Sequence, residues 1–323
     1  MNARPRPGVP WRRTLLVVIA ASGLALGAAA AAAEPGHPSA VRAATGATGA
    51  TAVSARAATA CDPTASSLRP SGPPQVTSGS FMAKIRARGY LIAGVDQITY
   101  RFGFFNPLNN QIEGFDIDMV RAVAKAIFGN SDPNTVHFKA ISDAQRIPDI
   151  TNSTVDIVAH TMTITCDRLK AVDFSSVYFE AAQRVLVLKS SEAKSLDDLH
   201  GQKVCATRGS DSVDRIRQHH AIAVQVPYWT DCLVQLQQGD VVAISTDDSI
   251  LDGLAAQDPW TKIIGPPLTS EPYGLAISKQ HPEFVRFVNA VLQQLRTDGQ
   301  WKSSYTRWLG TPAKNPPSAH YAG

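Results

Sequence analysis

From residue 90 onward, short apolar runs alternate with stretches whose apolar positions recur every three or four residues. Tyr90-Leu91-Ile92-Ala93-Gly94-Val95 reads as a buried strand. Phe115, Met119, Val120, Val123, Ala124, Ile127 and Phe128 then mark one face of a helix that Gly129 closes. Val136-His137-Phe138 predicts a second strand, residues 147–152 a helix, and Val155-Asp156-Ile157-Val158-Ala159 a third strand. Such a β–α–β–α–β succession argues for a largely parallel sheet covered by helices. The rhythm restarts with strands at 184–188 and 201–206, a helix at 213–219, a strand at 223–226, a helix at 232–238 and a strand at 241–245. Tyr273-Gly274-Leu275-Ala276-Ile277 reads as one strand returning to the first sheet, followed by helices at 284–295 and around 301–308. The pattern is that of two α/β units, the second inserted into the first and joined by two crossing strands. Ligands in such folds collect at the carboxyl ends of strands and between domains.

The N-terminus has a different character. Arg4 to Arg13 form a positive segment, Leu15 to Ala33 is an uncharged run, and Ala31-Ala32-Ala33 supplies small side chains before Glu34. This is the layout of a cleaved signal peptide; a retained membrane anchor is the alternative. Residues 34–80 are rich in Ala, Thr, Gly, Ser and Pro and read as a linker, too poor in large apolar side chains to offset its ordering entropy. The formal charge of +4 is concentrated here: residues 1–60 hold six arginines against one glutamate, leaving 25 of the 31 basic and 26 of the 27 acidic side chains to the rest. Without a basic surplus on the body, nucleic acid is excluded as the expected partner. The body is expected to be soluble and exported, at the extracellular face of the membrane or cell wall.

Cys61, Cys166, Cys205 and Cys232 fit an oxidising compartment, and no C-x-x-C suggests zinc or redox chemistry. Three pairings are open. Cys205–Cys232, inside one predicted αβ unit, is the favoured one, which leaves Cys61–Cys166; free buried thiols at one pair are the alternative. No G-x-S-x-G, P-loop, H-E-x-x-H or G-x-G-x-x-G after a strand occurs, so no catalytic residue, metal or cofactor is expected.

What stands out is the strand end His160-Thr161-Met162-Thr163-Ile164-Thr165 followed by Cys166-Asp167-Arg168. Thr165 can cap a new helix and place Arg168 in its first turn, so hydroxyls, backbone amides and a guanidinium converge where a carboxylate could bind. A surface helix arginine is the bland alternative. In the second unit, Arg208-Gly209-Ser210-Asp211-Ser212 follows a strand and opens a helix, and Ser245-Thr246-Asp247-Asp248 lies at another strand end. A carboxylate there could hold an ammonium, unless Asp247 and Asp248 merely cap the next helix.

With Gly114-Phe115-Asp116-Ile117-Asp118, Val172-Asp173-Phe174-Ser175, Gly201-Gln202-Lys203-Val204-Cys205 and Glu271-Pro272-Tyr273-Gly274, these segments resemble the bacterial family 3 extracellular solute-binding proteins. Those are receptors of polar amino acid ABC transporters, and the nearest likeness is to the actinobacterial glutamine/glutamate-binding group. The likeness spans roughly Phe81 to Leu309. It implies a two-lobed α/β fold of the type II periplasmic-binding-protein kind with a two-strand hinge. The first lobe would be residues 81–183 and 270–310, the second 184–269, with a signal peptide at 1–33, the linker at 34–80 and a flexible tail at 311–323. It also supports Cys205–Cys232.

By the same resemblance, Arg168 grips the ligand α-carboxylate beside Thr163, His160 and Thr161 contribute backbone groups, and Asp247 accepts the α-ammonium. Ser210, Asp211 and Ser212 line the second lobe's loop, Asp96 and Thr99-Tyr100-Arg101 reach toward the ligand side chain, and Arg146 matches an arginine of acidic amino acid binders. Thr207 stands where many relatives have lysine. Thr99 and Asp143 replace common aromatics, and His160-Thr161 replaces a usual Ala-Gly. The expected ligand is a polar L-amino acid, glutamate or aspartate first and asparagine or glutamine next, with Arg101 or Arg146 pairing the side-chain carboxylate. The expected partner is a membrane permease, and the receptor itself a monomer. The alternatives are a sensing subunit for a membrane signalling protein and a dehydratase-like enzyme on the same scaffold.

Overall fold

The computed structural model describes residues 61–322; the predicted signal peptide and the linker up to residue 60 lie outside the described residues. After a 3-10 turn at Pro63–Ala65 comes α1 (Phe81–Arg88), then β1 (Leu91–Val95), β2 (Ile98–Thr99), β3 (Gly103–Asn106) and β4 (Gln111–Glu113). They are followed by α2 (Phe115–Phe128), β5 (Val136–Ala140), α3 (Arg146–Thr151), β6 (Ile157–Ala159), α4 (Arg168–Ala171), β7 (Asp173–Phe174) and β8 (Phe179–Ala181). The second half of the chain supplies β9 (Gln183–Leu188), β10 (Lys203–Thr207), α5 (Ser212–Gln218), β11 (Ile222–Val226), α6 (Trp229–Gln238), β12 (Ala243–Asp247), α7 (Asp248–Gln257) and β13 (Thr261–Ile264). The chain returns through β14 (Glu271–Tyr273), β15 (Ala276–Ile277), α8 (Pro282–Thr297) and α9 (Gln300–Leu309).

Two five-stranded mixed sheets organise these elements, in the orders β5-β1-β6-β15-β7 and β11-β10-β12-β9-β13. The fold is therefore the two-lobed α/β architecture expected. In the first sheet β1 pairs in parallel with β5 and β6, and side chains alternate between two cores. Ile157 and Ala159 of β6 join Phe115, Met119 and Val123 of α2 with Phe284 and Trp301, whereas Val158 joins Ile150, Met162 and Phe174 on the other face. Burial of each large apolar side chain contributes about 1.5–3 kcal/mol before conformational entropy is counted. The second sheet carries continuous buried runs, Val185-Leu186-Val187 and Val204-Cys205-Ala206, as strands covered on both faces must. Cys205 on β10 is bonded to Cys232 on α6, tying sheet to helix, and Cys61 is bonded to Cys166.

The lobes are linked by β8 and β14, which pair antiparallel with Tyr273 opposite Phe179. The single strand expected at 273–277 is corrected here: it breaks at Gly274 into β14, in the link, and β15, in the first sheet. A side chain at Gly274 would lie 2.8 Å from Ile164 and 3.0 Å from Phe174, so the chain crosses there without one. The small sheet β2-β3-β4 and helix α1 were not anticipated. The strands are only two to four residues long, too short for an alternation to be read.

Residues 61–80 do not behave as a free linker. The Ser67 hydroxyl donates to the Phe174 carbonyl at 2.7 Å, and Leu68 and Val76 pack on the first core. Nor does the C-terminal segment hang free: Ala322 N–H donates to the Ser67 carbonyl at 2.8 Å, and the Arg69 guanidinium lies 5.2 Å from the Tyr321 ring centre. Asn289, fully buried on α8, joins strap to body. Its Oδ1 accepts from Ser176 N–H, and its Nδ2 donates to Ser67 Oγ and to the Leu68 carbonyl, each at 2.7 Å. Asn289→Ala leaves these buried groups unpaired and is expected to cost about 3 kcal/mol in urea unfolding. Limited proteolysis between residues 61 and 80 should quicken in that variant; unchanged stability would refute the strap's role.

Candidate functional site

The ends of β1, β5 and β6 in one lobe and of β10 and β12 in the other bring the polar residues together. Arg168 opens α4, where Thr165 Oγ1 accepts from its backbone N–H at 3.2 Å. Its side chain is 9% exposed. Nη1 donates to the Thr163 carbonyl at 2.7 Å, and Nη2 reaches across to the Gly209 carbonyl and Asp211 Oδ1, both at 3.4 Å. One guanidinium thus spans the cleft.

Asp247 ends β12 and occupies the N-cap position of α7, but its side chain makes no cap bond. Instead it accepts from the Tyr273 hydroxyl at 2.5 Å, and that hydroxyl also meets Ser249 Oγ at 2.7 Å. The capping role falls to Asp248, whose Oδ1 accepts from Ser249 and Ala182 N–H. Burial, with Glu271 and Asp211 nearby, pushes the Asp247 carboxyl well above its usual range. Glu271 is raised by burial and by Asp211. Three acidic groups therefore repel one another beside two guanidiniums, Arg168 and Arg146, the second already paired to Asp143, an arrangement that favours a further cation. Beside them a cavity of about 440 Å³ opens, lined by Thr163, Asp211, Glu271 and, from the strap, Thr64.

A second cluster closes the cleft from the other side. Arg146 donates from Nε to the Asp143 carbonyl at 3.1 Å, from Nη1 to the His160 carbonyl at 3.2 Å, and from Nη2 to the Gly209 carbonyl at 3.2 Å. It also pairs with Asp143 Oδ1 at 2.9 Å. The Thr207 hydroxyl, from the opposite lobe, donates to Asp143 Oδ2. Burial pushes the Asp143 carboxyl up, but Arg146, His160, the Thr207 hydroxyl and Arg168 outweigh it and hold it below its usual value. The Arg146 guanidinium is lowered, by burial first and then by the like charge of Arg168. His160 Nε2–H donates to the Ile141 carbonyl at 2.9 Å, which leaves Nδ1 facing Asp143 Oδ1 at 3.5 Å.

The carbonyl of Gly209 thus accepts from two arginines of the other lobe. Gly209 itself adopts φ +88°, and a Cβ there would sit 2.8 Å from Ala144 Cα. Both conformation and close approach demand glycine.

The remaining predicted residues are placed as follows. Asp96 is spent locally, Oδ1 accepting from Gln97 and Ile98 N–H and Oδ2 from the Thr99 hydroxyl. Ser210 Oγ accepts from Ser212 N–H, and Ser212 is buried. Thr161 is buried at φ +41° and donates its N–H to Asp116 Oδ2. Arg101 stands apart, its guanidinium 5.5 Å from the ring centre of Tyr100. Each nitrogen of Arg146 meets a protein acceptor, as both terminal nitrogens of Arg168 do, and Arg101 lies against its neighbour's ring. Gly209, Glu271 and Asp116 were not among the expected site residues, and Asp143 was marked only as the replacement of a common aromatic. Asp116 alone left a sequence signal, a carboxylate in the first turn of an otherwise apolar helix face.

This geometry can be set beside known proteins. The glutamine-binding protein of an ABC transporter from Bacillus subtilis is 38% identical over 231 residues, 71% of this chain and 84% of that protein. A glutamate-binding protein from Corynebacterium efficiens is 30% identical over 220 residues, 64% of this chain and 74% of that one. The likeness is therefore not specific to actinobacteria. The structure of an ancestral arginine-binding protein bound to glutamine superimposes with a TM-score of 0.65 at 34% identity, covering 69% of this chain and 99% of that one. The family pattern of a binding protein, not of a catalyst, matches residues 91–311, and the chain belongs to the bacterial extracellular solute-binding proteins, family 3.

Proposed function

We propose that this protein is the extracellular receptor of an ABC importer and closes over a polar L-amino acid whose side chain is neutral, glutamine ahead of glutamate. Arg168 takes the α-carboxylate, the geometry a guanidinium favours most, and Asp247 with Glu271 takes the α-ammonium. The reading rests on one observation above all: a buried guanidinium and a buried carboxylate from opposite lobes share the neighbours Asp211 and Glu271. Affinity arises from charge-assisted hydrogen bonds in a desolvated cleft, with no bond made or broken. Hinge closure over the bound ligand is what a membrane permease would read.

The preference for a neutral side chain follows from charge. Asp211, Asp247, Glu271 and Asp143 together outnumber Arg168 and Arg146. A second ligand carboxylate would meet this acidic excess. The Bacillus subtilis relative, named for glutamine, agrees with this preference.

Calorimetry with the twenty L-amino acids is expected to show glutamine binding at least about tenfold more tightly than glutamate, the effect of about 1.4 kcal/mol. Tighter glutamate binding would overturn the side-chain reading, and no binding by any amino acid would overturn the whole. Arg168→Ala should weaken binding about 100-fold or more, as loss of a buried charged pair does; a loss of only two- or threefold would remove Arg168 as the anchor.

Gly209→Ala tests closure separately. Its added methyl meets the Ala144 backbone, so affinity should fall by a similar factor for every ligand that binds, and small-angle scattering should show a larger radius of gyration with ligand present. A variant that still compacts on ligand addition would contradict this.

A further inference from the structure

The segment Gly114-Phe115-Asp116-Ile117-Asp118 holds a carboxylate that none of the contacts assigned to the ligand uses. Asp116, in the first turn of α2, is 1% exposed. Its Oδ1 accepts from the Tyr178 hydroxyl at 2.6 Å and its Oδ2 from Thr161 N–H at 2.7 Å. Tyr178, itself fully buried, directly precedes β8, one of the two strands linking the lobes. Thr161 lies in the chain that runs from β6 to Arg168, and it is β-branched yet held at φ +41°, a region that such residues avoid. On its two sides stand the His160 carbonyl, which accepts from Arg146, and Thr163, whose carbonyl accepts from Arg168. A strained backbone persists only where its surroundings fix it, and the bond to Asp116 is such a restraint.

We propose that Asp116 is a positioning residue of the ligand site: when ionised it holds the left-handed turn at Thr161 and with it the 160–163 backbone, and when protonated it holds that turn less firmly, so ligand affinity falls as pH drops. This rests on the reading of the cleft as an amino acid site. The geometry suits proton sensing. A carboxylate accepts from both donors at full strength, whereas a carboxylic acid turns its hydrogen toward the Tyr178 oxygen and accepts from Thr161 N–H only as a neutral, weaker acceptor. Burial pushes the Asp116 carboxyl up to about 6; the Tyr178 hydroxyl, Thr161 N–H and His160 act against the rise, and Asp96 adds to it. Those are the groups that face it: Tyr178 from the segment before β8, Thr161 and His160 from the end of β6, and Asp96 from the end of β1. Tyr178 keeps its proton, since burial and the neighbouring Asp116 raise its hydroxyl well above the usual range, and it can therefore donate to the ionised carboxyl.

By reciprocity, a ligand that needs the 160–163 backbone in place favours the ionised form and expels the proton on binding. Asp247 and Glu271 carry their own raised values, so the decisive quantity is the difference between variants.

The test is calorimetric titration of the exported protein with glutamine between about pH 7.5 and about pH 5.5, a range that brackets the raised carboxyl. Wild type, Asp116→Asn and Tyr178→Phe are compared. One coupled proton steepens the wild-type loss by up to about tenfold per pH unit. Asp116→Asn should bind about tenfold more weakly at the upper end and show a shallower pH dependence by up to one proton. Tyr178→Phe removes a bond that favours the ionised form, so its decline should begin at a higher pH. If Asp116→Asn does not fold, Tyr178→Phe decides alone: a displaced decline supports the assignment, an unmoved one overturns it. An Asp116→Asn protein as tight and as pH-dependent as wild type also overturns it. Failure of wild type to bind glutamine or any other amino acid would instead sink the ligand reading.

Discussion

Two arginines of one lobe converge on a single carbonyl oxygen of the other, that of Gly209. This constraint governs the remaining contacts of the cleft. Arg168 reaches Gly209 only with its guanidinium also on the Thr163 carbonyl, and Arg146 only with Asp143 and His160 on its other nitrogens. Charge-assisted bonds of this kind are strong when desolvated and costly when half made. Lobe contact and the orientation of the anchor are therefore not independent. A ligand carboxylate that fixes Arg168 also fixes the nitrogen that bridges the lobes.

The scaffold explains why so small a contact can be exact in position. Gly209 follows β10, which is stapled to α6 through Cys205–Cys232, while Arg168 follows the Thr163–Thr165 segment held by Tyr273 and Pro272 of the crossing strand. Cys166, in that same segment, is bonded to Cys61 at the start of the strap. Binding groups on short segments between rigid elements are held with less loss of freedom on binding than groups on free loops.

Much of this was legible in the sequence. The apolar periodicity of 115–128 marked α2, and the run at 155–159 marked the central strand with its polar end at His160–Thr163. Arg168 and Asp247 could be singled out because hydroxyls, helix-terminal amides and a guanidinium converge at 160–168 and a carboxylate ends a strand of the other unit, although each alone reads as well as a surface or capping residue. What stayed hidden has a common physical origin. Arg146 and Gly209 are 63 residues apart, and Thr207 and Asp143 are 64 apart. Periodicity reports which face a residue occupies, not which partner it meets; the Asp143–Arg146 pair lies within three residues and was open to a local reading, but the contacts of both with Gly209 and Thr207 were not. The strap was misread for a related reason. Ser67 and Leu68 are held through Asn289 on α8, more than 200 residues away, and a local composition of Ala, Ser and Pro carries no trace of that contact.

The electrostatics give closure its direction. Bringing the lobes together buries Asp247 and Glu271 near Asp211, and each raises its neighbour's affinity for protons. With nothing but protein in the cleft, the cost of that crowding opposes contact or is relieved by protonation. A ligand ammonium placed among the three reverses the sign: the same low-dielectric proximity that drove them apart now strengthens each attraction to the cation. A ligand shifts an equilibrium only by its differential affinity for the two states, and here that difference is built from charge that is unfavourable without the ligand and favourable with it. On the proposed ligand reading, an uncharged amine analogue of the same shape would lose this attraction while keeping the Arg168 contact, so the acidic half of the cleft would contribute to coupling binding to closure.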